Sequence, residues 1–123
     1  KWKRLKVDAQ ESVIGRSKLE SIEMDDDVKP ENAHIARVVI EDDEGEEMEI
    51  LRHSLPYGDG KGEQGLFFIA YTKNLAIIDD MLEHMFGTTG DGIHDRLLHF
   101  VTAVDGAYFF APSEELLEDV LEG

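Results

Sequence analysis

Two side chains suited to holding a charged cofactor, His34 and Arg52, bracket the most strand-like stretch of the chain. A neutral imidazole offers a nitrogen lone pair to a metal or a proton. A guanidinium is a permanent cation and wants a carboxylate, a phosphate or a propionate opposite it. Strand parity through Met48 to Leu55 puts Arg52 in line with Met48, Ile50 and Ser54, and puts Glu49, Leu51, His53 and Leu55 on the other face. An unpaired cation on an apolar face costs several kcal/mol of desolvation. His34 falls in phase with Ala36, Val38 and Ile40. An imidazole and a guanidinium at the two ends of one hairpin are the makings of a cofactor pocket. The plainer alternative pairs Arg52 with Glu47 or Glu49 and leaves His34 in solvent.

The elements that would position these residues follow from pattern. The runs on either side of the acidic turn Glu41 to Glu47 are rich in β-branched residues and flank Gly45, which predicts a hairpin. The expected fold is α+β, with an antiparallel sheet from about residues 35–41, 47–55, 65–72 and 103–111 and helices on one face. Leu66 to Tyr71 is apolar on both faces and should be covered on both. Asp8 should cap a short helix that Gly15 ends, with Gln10, Val13 and Ile14 on one face. Asn74 should cap a helix burying Leu75, Ile78, Leu82 and Met85, stopped by Gly87. Asp91 should cap another, with Ile93, Leu97 and Phe100 inward. Ser113 should open the last, with Leu116, Leu117, Val120 and Leu121 inward. His84 should be solvated. Gly60 to Gly65 matches the dinucleotide fingerprint by letter, but a strand follows where a helix is needed, so a loop is expected.

Composition narrows the function classes. With 12 basic and 28 acidic side chains, the net charge of −16 argues against nucleic-acid binding and favours neutral or cationic partners. A hydrophobic fraction of 41% with ten aromatics supports a real core. The absence of Cys removes disulfide and thiolate chemistry. No apolar run approaches the roughly 20 residues that would span a membrane. Seven carboxylates within Glu41 to Glu49 do not have the spacing of an EF-hand, and read as a solvated turn. The start at Lys1-Trp2 without Met is expected of a fragment or a processed chain.

Several motifs in order carry a family resemblance: Gln10 to Lys18, Asn32-Ala33-His34-Ile35, Arg52-His53-Ser54-Leu55-Pro56-Tyr57-Gly58, Gly65 to Tyr71, Asp95 to Phe100 and Gly106 to Ser113. Together they resemble the C-terminal half of the dye-decolourising haem peroxidases, of the bacterial type B kind. The resemblance implies a ferredoxin-like domain spanning residues 1–123, with the N-terminal half of the protein absent from this chain. It implies a b-type haem whose iron takes His34, with Asp95 accepting from the imidazole and raising its basicity. Arg16 would meet a haem propionate. Arg52 would act in catalysis, stabilising the leaving oxygen as the peroxide bond splits. Ser54 shares that face, and Leu66 and Phe68 would line the distal side. H2O2 and small-molecule electron donors would be the substrates. The family's Gly-x-x-Asp-Gly motif belongs to the other half, and Gly87 to Gly92 matches it only with an extra residue. This chain alone should therefore be inactive.

Other classes remain open at this point. The same ligand set would serve a protein that binds haem for storage, transfer or iron release. An acidic interaction domain without cofactor is a third option, with His34 and Arg52 structural and Asp95 a helix-start acid favoured by the dipole. The protein is taken as cytoplasmic and homo-oligomeric, with no nucleic-acid or membrane partner.

Overall fold

In the computed structural model, which describes all 123 residues, the strand-forming sequence is concentrated in one hairpin. Strand β1 (Leu51–Tyr57) pairs antiparallel with β2 (Gly65–Tyr71), setting Arg52 opposite Ala70, Ser54 opposite Phe68 and Pro56 opposite Leu66. The connection turns on Gly58 and Gly60, at φ 126° and 78°, and on Asp59, whose Oδ1 accepts from the Lys61 and Gly62 amides. The Gly60 to Gly65 stretch is therefore a hairpin loop, as its context required. Helices α1 (Val7–Ile14), α2 (His34–Val38), α3 (Leu75–Phe86) and α4 (Glu114–Glu122) complete an α+β chain, with 3-10 turns at Trp2–Arg4 and Arg96–His99.

Two of the four expected strands are not formed. Residues 35–41 begin as α2 instead, with the Arg37 amide bonded to the Ala33 carbonyl. Ile35 and Val38 favour strands locally, but both are buried by the helical spacing, and burial outweighs a propensity worth less than about 1 kcal/mol. The acidic turn does close, through a single bridge between Glu41 and Glu47 and the bond from the Met48 amide to the Ile40 carbonyl. Residues 103–111 pair with nothing, and Val104, Phe109 and Phe110 stand in solvent.

Cap positions also moved. Lys6, not Asp8, is the N-cap of α1, while Gly15 ends the helix in the left-handed region at φ 89°. Asn74 caps α3 by accepting from the Ala76 amide, and Gly87 ends it at φ 69°. The stripe of α3 follows the expected one at Ile78 and Met85, which are half-buried, but its buried residue is Met81, and Leu75 and Leu82 are exposed. Asp95 rather than Asp91 caps the next turn, which is 3-10. Ser113 caps α4 as expected, but Leu116, Leu117, Val120 and Leu121 are exposed.

Both faces of the hairpin are open, with Leu66, Phe67 and Phe68 each more than half exposed. The accessible surface is 10167 Å² for 13.9 kDa, against about 6,700 Å² for a compact monomer of that mass. The core is small and lies where α1, α2 and α3 meet, around Val13, Ala33, Ile35, Val38 and Met81. No helix is long and apolar enough to cross a membrane.

Candidate functional site

That small core exists to set one imidazole. Gly15 passes so close to Ala33 and Ile35 that a Cβ there would stand 3.3 Å from the Ala33 Cβ and collide with Ile35. Ala33 and Ile35 are buried and flank His34, so the start of α2 is fixed on the end of α1. From the other side, Arg37 reaches α3. Its Nε donates to the His84 carbonyl at 3.0 Å, and its Nη2 donates to Asp91 at 2.7 Å and to the Ile93 carbonyl at 3.2 Å. Asp91 also accepts from the Ile93 amide, and these two donors, the amide first, lower its carboxyl to about 2.

His34 then meets Asp95, 61 residues away in sequence, with Nδ1 at 2.6 Å from Oδ2. The Asp95 side chain is fully buried and the His34 side chain is 29% exposed. Asp95 is itself held on both sides, its amide donating to the Met85 carbonyl and the Arg96 amide donating to that of Asn32. Its Oδ1 accepts from the Leu97 amide at 2.8 Å, capping the 3-10 turn. One carboxylate thus serves two donors with its two oxygens. An ionised carboxylate only accepts, so it places the imidazole proton on Nδ1 and leaves the Nε2 lone pair free. Nothing in the chain engages Nε2.

The remaining sequence-derived residues fall into two places. Arg52, Ser54, Leu66 and Phe68 share one face of the hairpin, as parity required. Arg52 is exposed and has no hydrogen bond or ion pair, so the expected burial of its charge does not occur in this chain. It borders a shallow cleft of about 270 Å³ with Glu47, Met48, Glu49, Ile50 and Met81. His34 and Asp95 lie outside that cleft, and its two glutamates make it a poor seat for an anion. Arg16 is committed elsewhere, donating to the Ser21 carbonyl at 3.0 Å and pairing with Glu23 at 3.2 Å. The structure therefore joins His34 with Asp95, and joins Arg52 with Ser54, Leu66 and Phe68.

Sequence reasoning missed Arg37. It sits inside the apolar run Ile35 to Ile40, and the rule that a cation among apolar neighbours needs an anion applied to it before Arg52. His84 was expected to be solvated. It is half-buried, with Nδ1 2.9 Å from the Asp80 carbonyl.

Comparison with known proteins gives this geometry its context. The family profile described as Dyp-type peroxidase, C-terminal, matches residues 1–116. A dye-decolorizing peroxidase of Mycolicibacterium paratuberculosis is 50% identical over 96% of the chain, and one of Rhodococcus erythropolis is 49% identical over the same share. The chain spans about a third of the length of these curated relatives, 34% and 35% respectively. Among solved structures, a dye-decolorizing protein of V. cholerae superposes with a TM-score of 0.86 at 50% identity, covering 96% of this chain and 38% of that one. An encapsulated DyP-type peroxidase of Mycobacterium smegmatis gives 0.88 at 48%, with the same coverage. A DypB variant of Rhodococcus jostii, solved in complex with heme, gives 0.87 at 45%, over 95% of this chain and 38% of that one. The backbone shared with these proteins is α+β and ferredoxin-like. This chain belongs to the C-terminal domain family of the Dyp-type peroxidases.

Proposed function

We propose that this chain is the haem-binding C-terminal part of a peroxidase that uses H2O2 to oxidise dyes and other small-molecule electron donors. The observation that carries the proposal is the His34–Asp95 pair: a partly exposed imidazole with Nδ1 held by a fully buried carboxylate and Nε2 engaged by nothing within the chain. Metal-ligating histidines have this arrangement, because the partner fixes ring and tautomer together. The donor set fits a b-type haem, with one neutral imidazole for the iron, one uncommitted guanidinium in Arg52, and apolar Leu66 and Phe68 beside it. When bound, the haem supplies the redox-active iron at which H2O2 is reduced.

Each residue then has a separate task. Asp95 keeps the proton on His34 Nδ1 and the Nε2 lone pair outward. Arg52 would stabilise negative charge on the leaving oxygen. Ser54 would offer a hydrogen bond on the same face, and Arg16 would meet a propionate through the donors that its Ser21 and Glu23 contacts leave free. The acid that moves the peroxide proton would come from the Gly-x-x-Asp-Gly motif of the family's other half.

The same proposal makes residues 1–123 one part of a longer chain, whose remainder covers the open hairpin. The excess of accessible surface and the exposed Leu66, Phe67 and Phe68 support that view. A cytoplasmic, homo-oligomeric protein is also proposed. The test uses the full-length protein. His34→Ala should lose most of its Soret absorbance and His53→Ala should keep it. Equal haem content in the two variants would overturn the assignment.

A further inference from the structure

Arg37 is the only buried cation in the chain, and it stands one turn after His34 on α2. Its Nε bonds the His84 carbonyl at the end of α3, and its Nη2 bonds Asp91 and the Ile93 carbonyl, in the segment that runs on to Asp95. Apart from His34 itself, no other side chain can tie α2 to that segment by a hydrogen bond, because the rest are Ile35, Ala36 and Val38. Two backbone bonds complete the frame, from the Asp95 amide to the Met85 carbonyl and from the Arg96 amide to the Asn32 carbonyl. A packed apolar side chain would hold α2 on α3 at least as well, since a buried ion pair is weak evidence for stability. What the guanidinium adds is direction. Its planar fork fixes where three acceptors stand relative to the helix that carries His34.

We infer that Arg37 is a positioning residue: by holding Asp91 and Ile93 against α2 it sets the length of the His34–Asp95 hydrogen bond, and through it how strongly His34 donates to the iron. This rests on the haem-binding function proposed above. The 2.6 Å between Nδ1 and Oδ2 is shorter than the ~2.7–2.9 Å usual for a charge-assisted N–H···O bond. A bond that short draws the Nδ1 proton toward the carboxylate and raises the basicity of Nε2. Hydrogen bonding behind an axial ligand is one of the levers a protein has on the iron. Asp95 does not hold the distance alone, because its other oxygen is committed to the Leu97 amide at 2.8 Å. Shifting the carboxylate toward one donor takes it from the other. Asp91 pairs with the guanidinium at 2.7 Å and offsets its charge, so the effect on Asp95 is one of position.

The test is resonance Raman spectroscopy of the full-length ferrous protein, read at the iron–imidazole stretching band, together with the rate of haem loss to an excess of apo-globin. Arg37→Lys keeps a cation near Asp91 but lacks the fork and cannot reach all three acceptors. Its band should move to lower frequency, toward that of an imidazole with no carboxylate partner. Haem loss should quicken about 10-fold, the low end for a group behind a metal ligand. Asp91→Ala, at an exposed position, loosens the same segment and should move the band in the same direction. Asn74→Ala removes the cap at the far end of α3 and controls for lost stability alone. It should lower the thermal midpoint and leave the band in place. A parent-like band in Arg37→Lys, or in Asp91→Ala should Arg37→Lys not fold, would overturn the inference, as would an equal shift in Asn74→Ala. In each of those cases a band present in the parent and lost in His34→Ala leaves the haem-binding function standing. A parent with no iron–imidazole band would overturn both.

Discussion

Replacing Asp95 by Asn separates the two jobs of its carboxylate. The parent residue accepts from His34 Nδ1 at 2.6 Å and from the Leu97 amide at 2.8 Å, one oxygen for each donor. Asparagine has one acceptor oxygen and one amino group. If the oxygen stays with Leu97, the amino group faces His34, Nδ1 must become the acceptor, and the imidazole proton moves to Nε2. The lone pair proposed for the iron is then gone. If the oxygen turns to His34, the amino group meets the Leu97 amide, two donors face each other, and the cap is lost. In the first case both hydrogen bonds persist with the tautomer reversed, and in the second the loss of the cap costs about 1–1.5 kcal/mol. Asp95→Ala removes both and leaves a buried donor, so about 2.5–4 kcal/mol is expected. In full-length protein, thermal unfolding should rank parent, Asn and Ala in that order. Soret absorbance per protein should fall sharply in the Asn variant, although it folds. A variant with full haem content and an unshifted Soret band would refute the tautomer argument and leave Asp95 as a cap alone.

Arg52→Leu should keep the Soret band but slow its change on stopped-flow mixing with H2O2 by two to three orders of magnitude, about 3–4 kcal/mol of barrier. Glu49→Gln, on the other strand face, should change neither, and equal rates for Arg52→Leu and parent would remove Arg52 from the chemistry. Gly15→Ala forces a left-handed φ on alanine and pushes its Cβ into Ile35, so about 1–3 kcal/mol should be lost in denaturant unfolding. Arg37→Met leaves the Ile93 carbonyl and Asp91 without the guanidinium, and the His84 carbonyl with only the Gly87 amide, and should cost about 2–3 kcal/mol by the same measurement. Asp91 has a folded-state pKa lowered from 3.8 to about 2, so its contribution is present above 3.8 and is lost as pH falls toward 2. Thermal melts between pH 5 and 2 should show that loss in the parent and a shallower decline in Asp91→Asn.

Local chemistry was enough for several elements. Asn74, Gly87, Gly15 and Ser113 mark helix ends because capping and left-handed φ are properties of single residues and their immediate neighbours. The alternation in Leu51 to Tyr57 and Gly65 to Tyr71 likewise fixed which side chains share Arg52's face. The pairing of His34 with Asp95 came from family resemblance, because nothing local links residues 61 positions apart. Tertiary packing decided the rest. Residues 34–38 are helical because Gly15 admits Ala33 and Ile35 at close range and Arg37 must reach the end of α3, and neither demand is visible in a window of β-branched residues. Burial, too, was set by partners: Arg37 is buried because Asp91 and two carbonyls converge on it, while Arg52, with an equally apolar neighbourhood in sequence, remains in solvent.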